Sequence, residues 1–358
     1  MTRASRKLEH IQYALSMKPN GSSGFQDVHF VHQALSNIAY NNTILSTTIG
    51  GLHLSSPIIM NAMTGGSTET QEINEKLATV ANESGIAMAV GSQMSAIKMN
   101  EYVPSYKIVR KVNPKGIIFA NLGSEATVEQ AKSAINMIEA NGIQIHLNVI
   151  QELTMPEGDR DFRNTLDRLQ EIKESANIPV IIKEVGFGIS METAKLLKDA
   201  GLRILDVGGK GGTNFATIEN NRRDHPLQFF NDWGIPTAVS ILEAKSQTQI
   251  EVIASGGIQS GIDVAKAIGL GAQAVGMAGV FLKRILKNGV EDTINWIDQL
   301  HQELRFIMTS LDAIHLLELQ NKSVVLLGDT KSWCELRGIP LTPLAQRMNK
   351  DSFIKKPM

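Results

Sequence analysis

At 358 residues the chain can hold one α/β barrel of about 250 residues with additions at both ends, or two ordinary domains. Hydrophobic residues make up 42%, enough for a large core, while a formal net charge of −1 with no long basic run argues against nucleic acid as a partner. The single cysteine, Cys334, excludes an intrachain disulfide or a multi-cysteine zinc site and fits a cytoplasmic protein, and no apolar run approaches the roughly 20 residues of a membrane span.

The chain starts with Arg3, Arg6, Lys7, Glu9 and His10 and no apolar stretch behind them, so it reads as neither a signal peptide nor an anchor. Arg3, Lys7 and His10 share one face at helical spacing. Such a segment is either a solvated terminus or a cationic clamp suited to a diphosphate. Next, Thr43–Thr48 and Leu52–Leu54 flank Gly50-Gly51, a hairpin signal. A hairpin ahead of the first strand is expected to plug the bottom of a barrel.

Eight apolar runs then alternate with helical stretches: Pro57–Asn61, Ile86–Val90, Ile117–Asn121, Ile143–Asn148, Val180–Glu184, Ile204–Val207, Glu251–Ala254 and Ala274–Met277. Continuous apolar strands between helices predict parallel strands buried on both faces, and eight units predict closure into a (β/α)8 TIM barrel rather than an open sheet. The barrel core is expected at about residues 57–310 of a single domain spanning 1–358, with residues 1–56 as an N-terminal extension and hairpin and with C-terminal helices. Helical stripes support this: Ile73, Leu77, Val80 and Ala81 in one segment, and Ala194, Leu197 and Ala200 ending at Gly201 in another. The segment from Glu291 to about Leu319 reads as the last barrel helix, or as two in succession. Leu153–Asp161 and Asn214–Trp233 are long for loops, and long polar loops in a compact enzyme are usually lids or disordered segments.

In a barrel the chemistry sits where the strands end. Strands seven and eight end in Ser255-Gly256-Gly257-Ile258-Gln259 and Gly276-Met277-Ala278-Gly279, glycine-rich turns that let backbone N–H groups approach a phosphate. Neither turn has the spacing of a P-loop or a dinucleotide fingerprint. Lys183 ends a buried strand, where it either pairs with a carboxylate or stabilises an anion such as the N1–C2=O edge of a reduced flavin. Thr64, Ser92 and Asn121, at three other strand ends, supply donors and acceptors of the kind a flavin edge requires. His146 and Asn148 point the same way if both lie on the strand, and Gln151 and Glu152 follow where the loop begins. Glu152 is one carboxylate, too few for a protein-only magnesium cage, so a Mg2+ held there would arrive with a phosphorylated substrate. The plainer readings are a hydrogen-bonded core histidine and a surface acid.

The loops resemble those of the type 2 isopentenyl-diphosphate isomerases over nearly the whole chain. The most distinctive pieces are Ala62-Met63-Thr64-Gly65-Gly66, Gly91-Ser92-Gln93, His146-Leu147-Asn148-x-x-Gln151-Glu152, Lys183-Glu184-Val185-Gly186-Phe187-Gly188 and Gly211-Gly212-Thr213. The resemblance implies FMN against Ala62, Met63, Thr64, Ser92, Asn121, Lys183 and Thr213, with its phosphate on Gly257, Ile258, Gln259, Ala278 and Gly279. It implies a substrate diphosphate at Arg6, Lys7 and His10, His146, Asn148 and Gln151 near the reacting carbons, and Mg2+ helped by Glu152. Gly208 stands where a serine is common and Gln259 where an arginine is common, so a hydroxyl and a cation are lost from those positions.

The implied reaction interconverts isopentenyl and dimethylallyl diphosphate by a 1,3-proton shift, with reduced FMN as acid/base and NADPH only as its reductant. Family members form tetramers and octamers, so a homo-oligomer is expected. Two rivals remain. A hydroxy-acid oxidase-like FMN oxidoreductase would need a base and an arginine near strand seven, and that turn has neither His nor Arg. A non-catalytic flavin-binding barrel would not need His146, Asn148, Gln151 and Glu152 to converge.

Overall fold

Alternation along each strand builds the barrel wall. In the computed structural model, which describes residues 21–349, eight parallel strands close in chain order: β1 (Ile58–Met60), β2 (Ala87–Ala89), β3 (Ile118–Gly123), β4 (Gly142–Leu147), β5 (Val180–Glu184), β6 (Ile204–Asp206), β7 (Glu251–Ser255) and β8 (Ala274–Met277). Each overlaps one of the runs read from the sequence. Closure comes from β8 pairing with β1, with Val275 opposite Ile58 and Met277 opposite Met60. Ile118, Ala120 and Leu122 of β3 pack outward with the helices, as do Ile143 and Ile145 of β4 and Val180 and Ile182 of β5. Their neighbours face inward. Ile59, Phe119, Ile181 and Ile253 fill the lower barrel with Ala87, Ala89 and Ala274.

The hairpin consists of Thr47–Ile49 and Leu52–Leu54, joined by Gly50 and Gly51 at φ 56° and 79°. Its first strand starts four residues later than the sequence suggested. Ile49 and Leu54 join the inner cluster, so the hairpin does plug the barrel. Gly50 donates its N–H to Glu251 at 2.8 Å. A Cβ there would meet Ile204 and Pro179 at 2.6 and 2.8 Å, so only glycine fits the approach.

Helices cover the wall. Thr68–Ser84 starts with a Ser67/Thr70 capping box and stops at Gly85 in the left-handed region. Met191–Asp199 carries the second stripe, and Gly201 follows it at φ 80°. The last barrel helix starts earlier than expected, and a second helix follows it as the alternative reading had it. The first runs Gly279–Ser310 and is broken at Gly289 (φ 85°, ψ −171°), and Leu316–Gln320 is a separate helix. The break falls at Gly289, whose positive φ interrupts the helix, and the first half carries its own apolar face in Phe281, Leu282 and Ile285.

Both long loops carry structure. Leu153 and Thr154 still belong to the helix Val149–Thr154. Asn214 caps the helix Phe215–Asn220 by accepting from Thr217 N–H, and Gln228–Phe230 forms a 3₁₀ turn. One pairing was not anticipated: Val28–Phe30 joins Val324–Leu326 antiparallel, tying the early chain to the late chain. Beyond it lie the C-terminal helices Gly328–Leu336 and Thr342–Ala345. Among the described residues no helix is long and apolar enough to cross a membrane.

Candidate active site at the barrel mouth

Just above the apolar layer, the inward positions turn polar. Lys183 of β5 stands opposite Asp206 of β6, with Nζ 3.3 Å from Oδ2. The same ammonium donates to the Glu184 carbonyl at 2.8 Å and reaches Ser255 Oγ at 3.4 Å. Asp206 is 0% exposed and accepts from Ser255 Oγ, from Gly208 N–H at 3.2 Å and from Asn61 Nδ2 at 2.6 Å. The chain of bonds continues from Asn61 to Gln144 (2.9 Å), from Gln144 to Asn121 (3.2 Å), and from Asn121 Oδ1 to His146 Nδ1 (3.1 Å). Three residues singled out in the sequence, Lys183, Asn121 and His146, thus belong to one belt. Asp206, Asn61, Gln144 and Ser255 complete it and were not singled out as site residues. The available signal was strand alternation, since a charge or amide inside an apolar run must face the barrel axis.

Glycine turns bring the neighbouring loops together. Gly257 has φ 72°, and a Cβ on it would lie 2.4 Å from the Gly211 carbonyl. On Gly212 it would meet the Gly257 nitrogen at 2.9 Å, and on Gly279 it would come within 3.4 Å of Thr213 Oγ1. The loops after β6, β7 and β8 therefore converge as a backbone-lined cradle of the kind a phosphate fits. Ala278 precedes the helix that starts at Gly279, and no side chain caps that helix. Ile258 is buried in the core. Gln259 differs: its N–H already binds Asp263, which also closes the capping box of Gly261–Gly269. Gly208 has φ 46°, and a Cβ there would lie 2.0 Å from the Glu184 carbonyl. Its glycine therefore has a steric cause beyond a missing hydroxyl.

In the loop after β1, beside β8, Ala62 donates its N–H to Asn61 Oδ1 at 3.0 Å, and Met63 is half-buried against the core. Thr64 is buried, with its hydroxyl bonded to Asn74 at 2.5 Å. The Ser92 carbonyl accepts from Tyr106 at 2.5 Å, and a Cβ on Gly65 would strike the Tyr106 ring.

The β4 end departs from expectation. The strand stops at Leu147, so Asn148 is not a strand neighbour of His146. It begins the helix Val149–Thr154 and donates to Glu152 at 2.8 Å. Gln151 and Glu152 accordingly lie on that helix rather than in a loop. Glu152 also accepts from Asp159 N–H at 2.8 Å. Burial, with a smaller push from Glu125 and Asp159, holds its carboxyl above the usual range. No group of three His, Cys, Asp or Glu among the described residues could hold a metal by itself. Gln151 donates to Glu219 at 3.3 Å; Glu219 pairs with Arg222, which reaches Glu157 at 2.6 Å. This cluster locks the loop after β4 to the loop after β6, and Glu219 and Arg222 gave no local signal.

Glu184 has a different task from its neighbour Lys183. One oxygen accepts the N–H groups of Val185, Gly186, Phe187 and Gly188 at 2.6, 2.7, 2.5 and 3.2 Å. Burial pushes it up to about 7 against those bonds. It shapes the loop after β5. Arg6, Lys7 and His10 lie outside the described residues. Gly21 and Ser23 lie against Lys210 and Gly211 of the loop after β6.

Comparison with known proteins agrees with this architecture. A family model described as FMN-dependent dehydrogenase matches residues 126–325. Proteins named isopentenyl-diphosphate delta-isomerase are 54% identical in Geobacillus sp. (strain WCH70), over 94% of this chain and 97% of theirs, and 56% identical in Bacillus cytotoxicus, over 97% and 100%. A third, from Bacillus pumilus, is 52% identical over 98% and 99%. Among solved structures, a lactate oxidase of Pediococcus acidilactici superposes with a TM-score of 0.66 at 16% identity, covering 91% of this chain and 94% of its own. A mandelate oxidase with (S)-mandelic acid gives 0.65 at 17%, covering 91% and 97%. At that identity the likeness speaks for the fold.

Proposed function

The chain belongs to the isopentenyl-diphosphate delta-isomerase family, within the wider FMN-dependent dehydrogenase family, and from that premise we propose that it interconverts isopentenyl and dimethylallyl diphosphate. The observation that carries this reading is identity of 52–56% along nearly the full length of proteins bearing that name. The fold alone would serve an oxidase equally well.

FMN fits the mouth on two counts. The cradle leaves no room for side chains at Gly257 and Gly212 and suits the phosphate, and Lys183 offers a buried cation to the ring. Ala62, Met63, Ser92, Asn121 and Thr213 would line the remainder, while Thr64 would contribute through its backbone because its hydroxyl is engaged. When bound and reduced, with NADPH as the reductant, FMN would supply the acid/base for the proton shift with no net redox change. Lys183 stabilises negative charge at the ring edge. His146 and Gln151 orient the hydrocarbon end, and the loops around Glu219 and Arg222 keep water from it. Asn148 and Glu152 would face a Mg2+ that comes in with the diphosphate, in keeping with the lack, among the described residues, of a group that could hold a metal by itself. Arg6, Lys7 and His10 grip the diphosphate. The start of the described chain beside Lys210 and Gly211 supports that role. A cytoplasmic homo-oligomer, a tetramer or octamer, completes the proposal.

The test compares product with nicotinamide consumed. The oxidised flavoprotein should be inactive. After one anaerobic reduction it should turn over many times without further reductant, and in D2O the dimethylallyl product should carry deuterium. One nicotinamide consumed per product, or full activity with oxidised flavin, would sink the reading in favour of an oxidoreductase.

A further inference from the structure

The buried belt has a direction. A carboxylate accepts hydrogen bonds and donates none. Asp206 must therefore be met by the Nδ2 of Asn61, at 2.6 Å from Oδ2, and the Oδ1 of Asn61 is left to face Gln144. The N–H of Ala62, 3.0 Å from that same Oδ1, fixes the same orientation. Gln144, 0% exposed, must then donate through Nε2 at 2.9 Å and accept through Oε1 from Asn121 Nδ2 at 3.2 Å. What Asn121 turns to His146 Nδ1, at 3.1 Å, is its oxygen. Reversing any one amide would set two acceptors or two donors face to face in a buried place, at a cost of roughly 1–3 kcal/mol.

We propose that Asn61, Gln144 and Asn121 are positioning residues that carry the acceptor-only character of Asp206 to His146 and hold its hydrogen on Nδ1, so that Nε2 is the acceptor nitrogen of the ring. The consequence for turnover rests on the isomerase reading above; the tautomer does not. Asn121 is a neutral amide that would accept either tautomer if it were free to turn, so the information must come from further along the belt. Gln144 is the link through which it passes.

The experiment uses the flavin-loaded protein with ¹⁵N-labelled histidine. Long-range ¹H–¹⁵N correlation distinguishes a protonated, pyrrole-type nitrogen from a pyridine-type one, and the His146 signals are identified by their loss in His146→Gln. In the neutral ring of the wild type, Nδ1 should be pyrrole-type and Nε2 pyridine-type. Gln144→Leu releases Asn121 and should move the ring toward a mixture of tautomers, with kcat down by about tenfold or more and KM within about twofold. Gln144→Glu should keep the wild-type pattern and most of the activity. A glutamate there accepts from Asn121 whether or not it is protonated, and when protonated it also donates to Asn61.

A wild-type ring with its hydrogen on Nε2 overturns the proposal, as does a Gln144→Leu ring unchanged from wild type. Should Gln144→Leu fail to fold, the wild-type and Gln144→Glu spectra still decide it. No isomerase turnover in a wild type that shows the stated tautomer would remove the functional reading and leave the relay standing.

Discussion

Lys183 and Asp206 show how much one buried pair can govern. With Asp206 fully buried and Lys183 nearly so, each makes the other tolerable inside the barrel. Removing one partner of such a pair costs about 3–5 kcal/mol, because the survivor stays buried and uncompensated, whereas removing both charges is far milder. Lys183→Met should therefore lower unfolding stability in urea by that order, and Lys183→Met with Asp206→Asn should recover most of it. Equal losses in the single and double variants would mean that the pair is not coupled. Glu152 carries a second prediction. Its raised pKa means that the folded protein disfavours the anion without a cation beside it. As pH falls through that raised value, protons should compete with Mg2+ and the Mg2+ needed for half-maximal turnover should climb. In Glu152→Gln the requirement should be high at every pH and its pH dependence flatter, with the bound flavin spectrum intact. Lys183 was legible as the charged end of an apolar run. Asp206 sat inside the run Ile204–Val207 and was passed over, because its meaning depends on which face of the strand it occupies.

Elements divide the barrel into an end that holds it together and an end that binds. Ile49 and Leu54 of the hairpin close the lower mouth against Ile59, Phe119 and Ile181, on the face opposite the polar belt. Truncating a buried isoleucine costs about 2–5 kcal/mol. Ile49→Ala should thus lower the thermal midpoint while flavin retention after gel filtration stays at the wild-type level. Loss of flavin in a folded Ile49→Ala protein would show that the two ends are not independent. The eight strands and this hairpin were readable because continuous apolar runs alternating with helical stretches and Gly50-Gly51 are local signals. The split of the last helix was not, because buried apolar residues line both halves, Phe281, Leu282 and Ile285 before Gly289 and Trp296, Ile297 and Leu300 after it, and a stripe on both sides does not mark a break. The pairing of Val28–Phe30 with Val324–Leu326 was out of reach for a different reason: two short strands at opposite ends of the chain leave no local pattern that names a partner.

At the scale of the whole molecule, a formal charge of −1 gives the protein no net attraction for an anionic substrate, so capture must come from cations placed locally at the mouth. Lys183 is tied to Asp206, and Arg222 to Glu219 and Glu157. Lys210 donates to the Asp232 carbonyl at 2.5 Å at the rim. Arg6 and Lys7, proposed above with His10 to hold the diphosphate, would supply such cations ahead of a chain that enters the described structure beside Lys210 and Gly211. Grip on a diphosphate by charged hydrogen bonds is strong and falls with ionic strength. Arg6→Gln with Lys7→Gln should raise KM for the diphosphate substrate by about tenfold or more, each lost charge-assisted bond contributing roughly 1.5–3 kcal/mol at most. The rise of KM with salt should become shallower, and flavin content should not change, because these residues are assigned to the substrate and not to the cofactor. Steady-state kinetics at low and high salt measures both effects. A KM and salt slope equal to wild type would free the N-terminal segment from any part in binding, and substrate capture would then have to come from groups within the barrel loops.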